Sequence, residues 1–155
     1  GGPTKYYDYS KKNINHIFSI FYELLKKHNF QLVVVPSMRT PLSIIHYAKE
    51  FFGENHTIIM DVDKKAYLSA LAISESIVVT CDSSSMISEA ALTGKPIYVA
   101  NILPKKNDKR FQRFRNLFRE LNITRNLGEE VEIWSYEKLD ETNRVAKLIK
   151  EKIQI

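Results

Sequence analysis

Residues 77–100 dictate most of what this chain can become. Ile77 to Thr80 is an unbroken apolar run of the kind found in strands covered on both faces. Asp82, Ser83, Ser84 and Ser85 follow, small polar residues suited to capping a helix. Met86, Ile87, Ala90 and Ala91 then recur at helical spacing, and Gly94 with Pro96 stops that helix before a second apolar run, Ile97 to Ala100. A strand, helix and strand in this order place a helix N-terminus at the carboxyl end of a parallel strand. Free backbone N–H groups and the helix dipole make such a point attractive to phosphate. The three serine hydroxyls add donors. Glu89, one turn after Ser85, can accept from a ribose hydroxyl. An ordinary well-capped turn has the same local pattern.

The rest of the chain repeats the alternation. Ser10 caps a helix to about His28, with Ile14, Ile17, Phe18, Phe21, Leu24 and Leu25 as its apolar stripe. Phe30 to Val35 reads as a buried strand. Thr40 is placed to cap, and Pro41 to begin, a helix that runs to about Phe52 and Gly53. Ser37, Arg39 and Thr40 therefore form a second anion-friendly turn, with Arg39 as a guanidinium fork or simply a solvated side chain. His56 to Met60 reads as a strand and 64–74 as a helix with Tyr67, Leu68, Leu71 and Ala72 on its buried side. Asp61 and Asp63 read as caps more readily than as metal ligands. After an irregular stretch, Asp108 caps a helix to about Asn122. Its core stripe is Phe111, Phe114, Leu117, Phe118 and Leu121, and Lys109, Arg110, Arg113, Arg115 and Arg119 line its remaining surface. Residues 122–133 read as a loop, and a last helix from about Asp140 to Lys152 packs back on the domain. This order predicts one α/β domain: a parallel sheet, helices on both faces, and a ligand crevice at the carboxyl ends of the strands.

The 155 residues suffice for one core, and the single cysteine, Cys81, excludes an internal disulfide. Cys81 reads as a buried filler, since no His/Asp pair stands near it at a catalytic spacing. No apolar run is long enough to span a bilayer. The net charge of +5 favours anionic partners. Zinc-finger spacing, RNA-binding aromatics and a helix-turn-helix are lacking, so nucleic acid is not expected. Gly1 and Gly2 suit either a loop that lets phosphate approach the backbone or a cloning remnant.

Several segments together resemble one family. They are Ser37 to Pro41, Thr80 to Ala90, Thr93 to Val99, Arg110-Phe111 with Phe114, and Leu139 through Glu141-Thr142 to Arg144. The family is that of predicted glycosyltransferases related to plant mitochondrial fission proteins, whose bacterial members carry the label nucleoside-diphosphate-sugar epimerase. The resemblance covers nearly the whole chain. It implies a Rossmann-like domain like the C-terminal half of a GT-B fold, binding a nucleotide-sugar donor and inactive alone. The implied donor set is Gly1, Gly2, Ser37, Arg39, Thr40, Asp82, Ser83, Ser84, Ser85, Met86, Glu89 and Lys95, with Ser83 to Ser85 at the diphosphate and Glu89 at the ribose. Arg39 is the best cation for the leaving diphosphate and Lys95 a weaker one. No cofactor is expected beyond the sugar nucleotide as substrate.

Against the family pattern, the N-terminal domain and the strand before Gly1 are missing, which leaves a sheet edge or slot open to a second copy. A cytoplasmic protein is expected, with contact at the inner membrane surface as an alternative. Two rival functions remain at this point. One is a non-catalytic module that meets a membrane or protein through the basic helix after Asp108. The other is an epimerase that works by eliminating the nucleotide. A short-chain epimerase is excluded, because no G-x-G-x-x-G and no Tyr-x-x-x-Lys in the right setting occur.

Overall fold

A computed structural model describes residues 1–153 of the chain. The elements follow as α1 (Lys11–Lys27), β1 (Val33–Val34), α2 (Leu42–Phe52), β2 (Thr57–Ile58), α3 (Lys64–Ile73), β3 (Ile77–Thr80), α4 (Ser84–Ala91), β4 (Ile97–Ala100), α5 (Lys109–Glu120), β5 (Thr124–Asn126) and α6 (Glu141–Ile153). All strand pairs are parallel. The protein is an α/β fold of Rossmann-like kind, with its strands in two sheets, β1-β2 and β3-β4-β5.

The caps explain several boundaries. Ser10 accepts from the Asn13 N–H at the start of α1, and Asp63 accepts from the Lys65 and Ala66 N–H groups at the start of α3. Gly53, the C-cap of α2, and Gly94, two residues past the Leu92 cap of α4, have φ of 67° and 74°, a left-handed conformation that only glycine adopts cheaply. Thr40 does not cap α2. Pro41 holds that position, and the Thr40 hydroxyl instead accepts from the Ser37 N–H at 2.8 Å.

One core runs through the molecule. Ile14, Ile17 and Phe18 of α1 meet Ile44, Ile45, Ala48 and Phe52 of α2, and the cluster continues to Ile77, Val79, Ile87 and Ile97. Phe18 carries the α1–α2 contact, with ring centroids 4.9 Å from Phe52 and 5.3 Å from Tyr47. All four residues of β4 are buried, as expected for the middle strand of a covered sheet.

Four expectations are corrected. Residues 124–126, expected as loop, form β5 on the edge of β4. Helix α3 has no buried residue, and Leu68 is exposed. Only Phe118 of the α5 stripe is buried. Helix α6 buries none of its residues, so it does not pack back on the domain; Val145, Leu148, Ile149 and Ile153 face outward. Helix α3 still packs Leu71 on the core and α5 packs Phe114 and Phe118 there, whereas the α6 stripe buries nothing among the described residues.

Candidate functional site

Three turns converge where the carboxyl ends of β1 and β3 come together. The β3 strand ends at Thr80, and Asp82 lies just beyond it with its side chain wholly buried. Arg39, from the turn after β1, reaches across and places Nη2 2.8 Å from Asp82 Oδ2. Its Nη1 donates to the Gly2 carbonyl at 2.7 Å. The Gly2 N–H donates to Asp82 Oδ2 at 3.0 Å, and the Thr40 hydroxyl donates to the Gly1 carbonyl at 2.5 Å. The two glycines are needed here because of close approach. A Cβ on Gly1 would collide with the Asp82 carboxylate and the Thr80 hydroxyl, and one on Gly2 with the Arg39 backbone. Gly1-Gly2 is thus a fitted piece of the rim.

Tyr9 completes this hub. Its hydroxyl donates to Asp82 Oδ1 and lies 2.8 Å from Thr80 Oγ1. Burial alone would raise the Asp82 pKa. The Gly1 amino group, the Tyr9 hydroxyl, the Gly2 N–H and Thr80 overcome it and hold the carboxyl below its usual range. Burial, aided by the Asp82 charge and hydrogen bond, pushes the Tyr9 phenol upward. Asp82 is therefore a buried, paired carboxylate at the centre of three turns.

Beside the hub, α4 begins at Ser84 with Ser83 at its cap position, and the Ser83 side chain makes no capping bond. The Ile87 N–H is the first to find a helical partner, the Ser83 carbonyl at 3.1 Å. Among the described residues the Ser84, Ser85 and Met86 N–H groups have no acceptor. Ser85 is exposed and Ser84 and Met86 are half-buried, and the turn that carries them follows directly on Asp82. Glu89, exposed one turn further on, accepts from the Tyr67 hydroxyl at 2.7 Å.

Of the twelve residues expected at the site, eleven thus lie on the rim or on the first turns of α4. Lys95 does not. It precedes β4, at the opposite end of the strands, and its Nζ donates to the Leu71 and Ala72 carbonyls at 2.8 and 2.5 Å at the end of α3. There it serves as a helix C-terminal cation. Arg39 is on the rim but already committed to Asp82.

A second buried cluster was not foreseen. Tyr7, with 0% of its surface exposed, donates to Asp108 Oδ2 and accepts from Arg115 Nη1 at 2.8 Å. Arg115 also pairs with Asp108 at 3.0 Å and donates to the Cys81 carbonyl at 3.1 Å. Asp108 holds the cap position of α5 without capping it, and its carboxylate is spent on this network. The alternation Tyr7-Asp8-Tyr9 was the available signal: both tyrosines turn inward, as alternate residues of an extended segment do. Burial raises the Cys81 thiol pKa, so Cys81 is an inert core group.

The profile of the family described as mitochondrial fission ELM1 matches residues 1–153. The chain belongs to the mitochondrial fission ELM1 family. An uncharacterized protein of Rickettsia prowazekii (strain Madrid E) is 29% identical over 163 residues, covering 100% of this chain and 46% of that protein. Mitochondrial fission protein ELM1 of Arabidopsis thaliana is 30% identical over 122 residues, covering 76% of this chain and 28% of that protein. The chain thus spans less than half the length of either relative. No solved structure matches. Within the described residues, no helix is long and apolar enough to cross a membrane.

Proposed function

We propose that this family member is the nucleotide-sugar-binding domain of a GT-B-like glycosyltransferase and needs a second domain for transfer. The carrying observation is the trio of unpartnered N–H groups at Ser84, Ser85 and Met86. They follow β3, the edge strand of the β3-β4-β5 sheet, whose carboxyl end meets the turn after β1 of the other sheet. A crevice at the carboxyl ends of the strands is the usual ligand position in open α/β sheets. A diphosphate at these amides gains hydrogen bonds and the α4 dipole without displacing any protein partner. The Glu89 carboxylate, one turn along, has a free oxygen for a ribose hydroxyl. Arg39 contributes little net charge, because Asp82 neutralises it. Its role is to fix the rim, and the loop amides carry the anion. No residue here is assigned as a catalytic base.

Isothermal titration of the folded chain with UDP, GDP and their sugars tests the reading. Saturable binding that weakens about tenfold or more in Glu89→Ala supports it, since a hydrogen bond to a charged group contributes roughly 1.5–3 kcal/mol. A folded chain that binds none of them at millimolar concentration refutes it.

A further inference from the structure

Away from the rim amides, a cleft of about 190 Å³ opens between α5 and the carboxyl ends of β4 and β5. Its polar lining comes from two directions. Gln112, Asn116 and Arg119 form one stripe of α5, four and three residues apart. Asn101 and Asn126 follow or end the two strands, and Arg125 projects beside them. We propose that this cleft is an oxyanion site for a small phosphorylated polyol, anchored by Arg119.

The charge balance is the first argument. Three guanidinium groups line the cleft, with Arg115 on its inner wall, and no carboxylate among the described residues lines it. Arg115 is tied to Asp108, and Arg125 to Glu132 with its guanidinium 4.3 Å from the Trp134 ring centre. The Arg119 guanidinium donates to the Asn116 Oδ1 at 2.8 Å and takes part in none of the ion pairs among the described residues. Its fork is open to the bidentate contact that phosphate offers. With Arg115 and Arg125 neutralised by their partners, Arg119 supplies the net positive charge that draws an anion to the cleft.

The carboxamides are the second argument. Asn101 Nδ2 donates to Asn126 Oδ1 at 3.0 Å, which orients both groups. The Asn126 amine and the Asn101 carbonyl oxygen are left over, a donor and an acceptor side by side. With the Gln112 Oε1 and the Asn116 amine, whose other ends are engaged by Asp108 and Arg119, they suit the vicinal hydroxyls of a polyol. Roughly 300–1,000 Å³ is typical for drug-sized ligands, so this cleft takes a small molecule or one end of a larger one.

The inference is independent of the nucleotide reading. The 155-residue chain, ¹⁵N-labelled, is titrated with sodium phosphate, glycerol 3-phosphate and glycerol, with sodium chloride at matched ionic strength as control. Saturable shifts at the Asn101, Gln112, Asn116 and Asn126 side-chain amides and at Arg119 Nε are expected. Glycerol 3-phosphate should bind more tightly than phosphate, and glycerol weakly. R119Q, at an exposed position, should weaken phosphate binding about tenfold, and N126S should remove the preference for glycerol 3-phosphate; R110Q should change neither. Equal shifts with chloride, or R119Q binding like the parent, overturn the site. Shifts confined to the Ser84–Met86 backbone also overturn it while supporting the nucleotide reading.

Discussion

Asp82 shows how much one side chain can hold. It receives Arg39, Tyr9 and the Gly2 N–H and has no solvent-exposed side-chain surface. The Arg39 side chain is 42% exposed, so water can solvate its charge when Asp82 is neutralised, and the full cost of breaking a buried pair does not apply. Asp82→Asn keeps the shape and loses the charge, so urea unfolding at pH 7 should show a loss of about 1–3 kcal/mol. The pH dependence has a definite sign. The folded pKa is depressed relative to an unfolded value near about 3.9, so the contribution is complete above that value. It fades as pH falls through the folded pKa, and the gap between parent and Asp82→Asn should narrow below about pH 4. Asp108, likewise depressed against its burial by Tyr7, Arg115 and Gln112, keeps an acid-sensitive term in the variant. A gap that stays constant down to pH 2.5 would show that the Asp82 charge does not hold the hub. Tyr9→Phe strands one lone pair of Asp82 and should cost about 1–3 kcal/mol in the same assay. The sequence placed Asp82 and Arg39 at one rim, because both follow strands. It could not show that they bind each other, since pairing across 43 residues leaves no trace in local spacing.

Among the elements, legibility followed burial. Helix α1 was readable because Ile14, Ile17, Phe18 and Leu24 are all buried and occupy one face. Strand β5 was not, because Thr124-Arg125-Asn126 is short and polar and is recruited by its backbone pairing with β4. Helix α6 misleads in the other direction. Its stripe reads as core, yet the nearest side chains that do pack inward are Tyr136 and Leu139, before the helix begins. Ending the chain after Asp140 should therefore remove helical signal in circular dichroism but cost less than about 1 kcal/mol in urea, as for surface changes. A larger loss would mean that α6 packs on the domain after all. Gly94 should behave oppositely. Gly94→Ala forces φ of 74° on a residue with a Cβ, 2.9 Å from Lys138 Cε, and should cost about 1–2 kcal/mol.

At the scale of the molecule, the division of the sheet sets the next question. The β3 amides of Ile77 and Cys81 donate toward β4, to the Pro96 and Ala100 carbonyls at 2.9 and 3.0 Å. Alternation then turns the Val78 and Thr80 amides to the other edge, where no strand among the described residues pairs with β3. On β1 the Leu32 and Val34 carbonyls accept from Thr57 and Ile59 of the β2 side, so Val33 and Val35 also face an unpaired edge. Gly1 bridges the carboxyl ends of both edges, against Thr80 on one side and Thr40 on the other. One parallel strand running into Gly1 would satisfy both rows and join the sheets. Unpaired backbone groups exchange with solvent far faster than those in a ladder. In the 155-residue chain, the Val78 and Thr80 amides should exchange at least about a hundredfold faster than Val79 and Val99, which lie in ladders. In a form extended by residues preceding Gly1, or in a self-associated form, the same two amides should become protected. Protection of Val78 and Thr80 in the dilute 155-residue monomer would mean that the two sheets close on each other without a further strand.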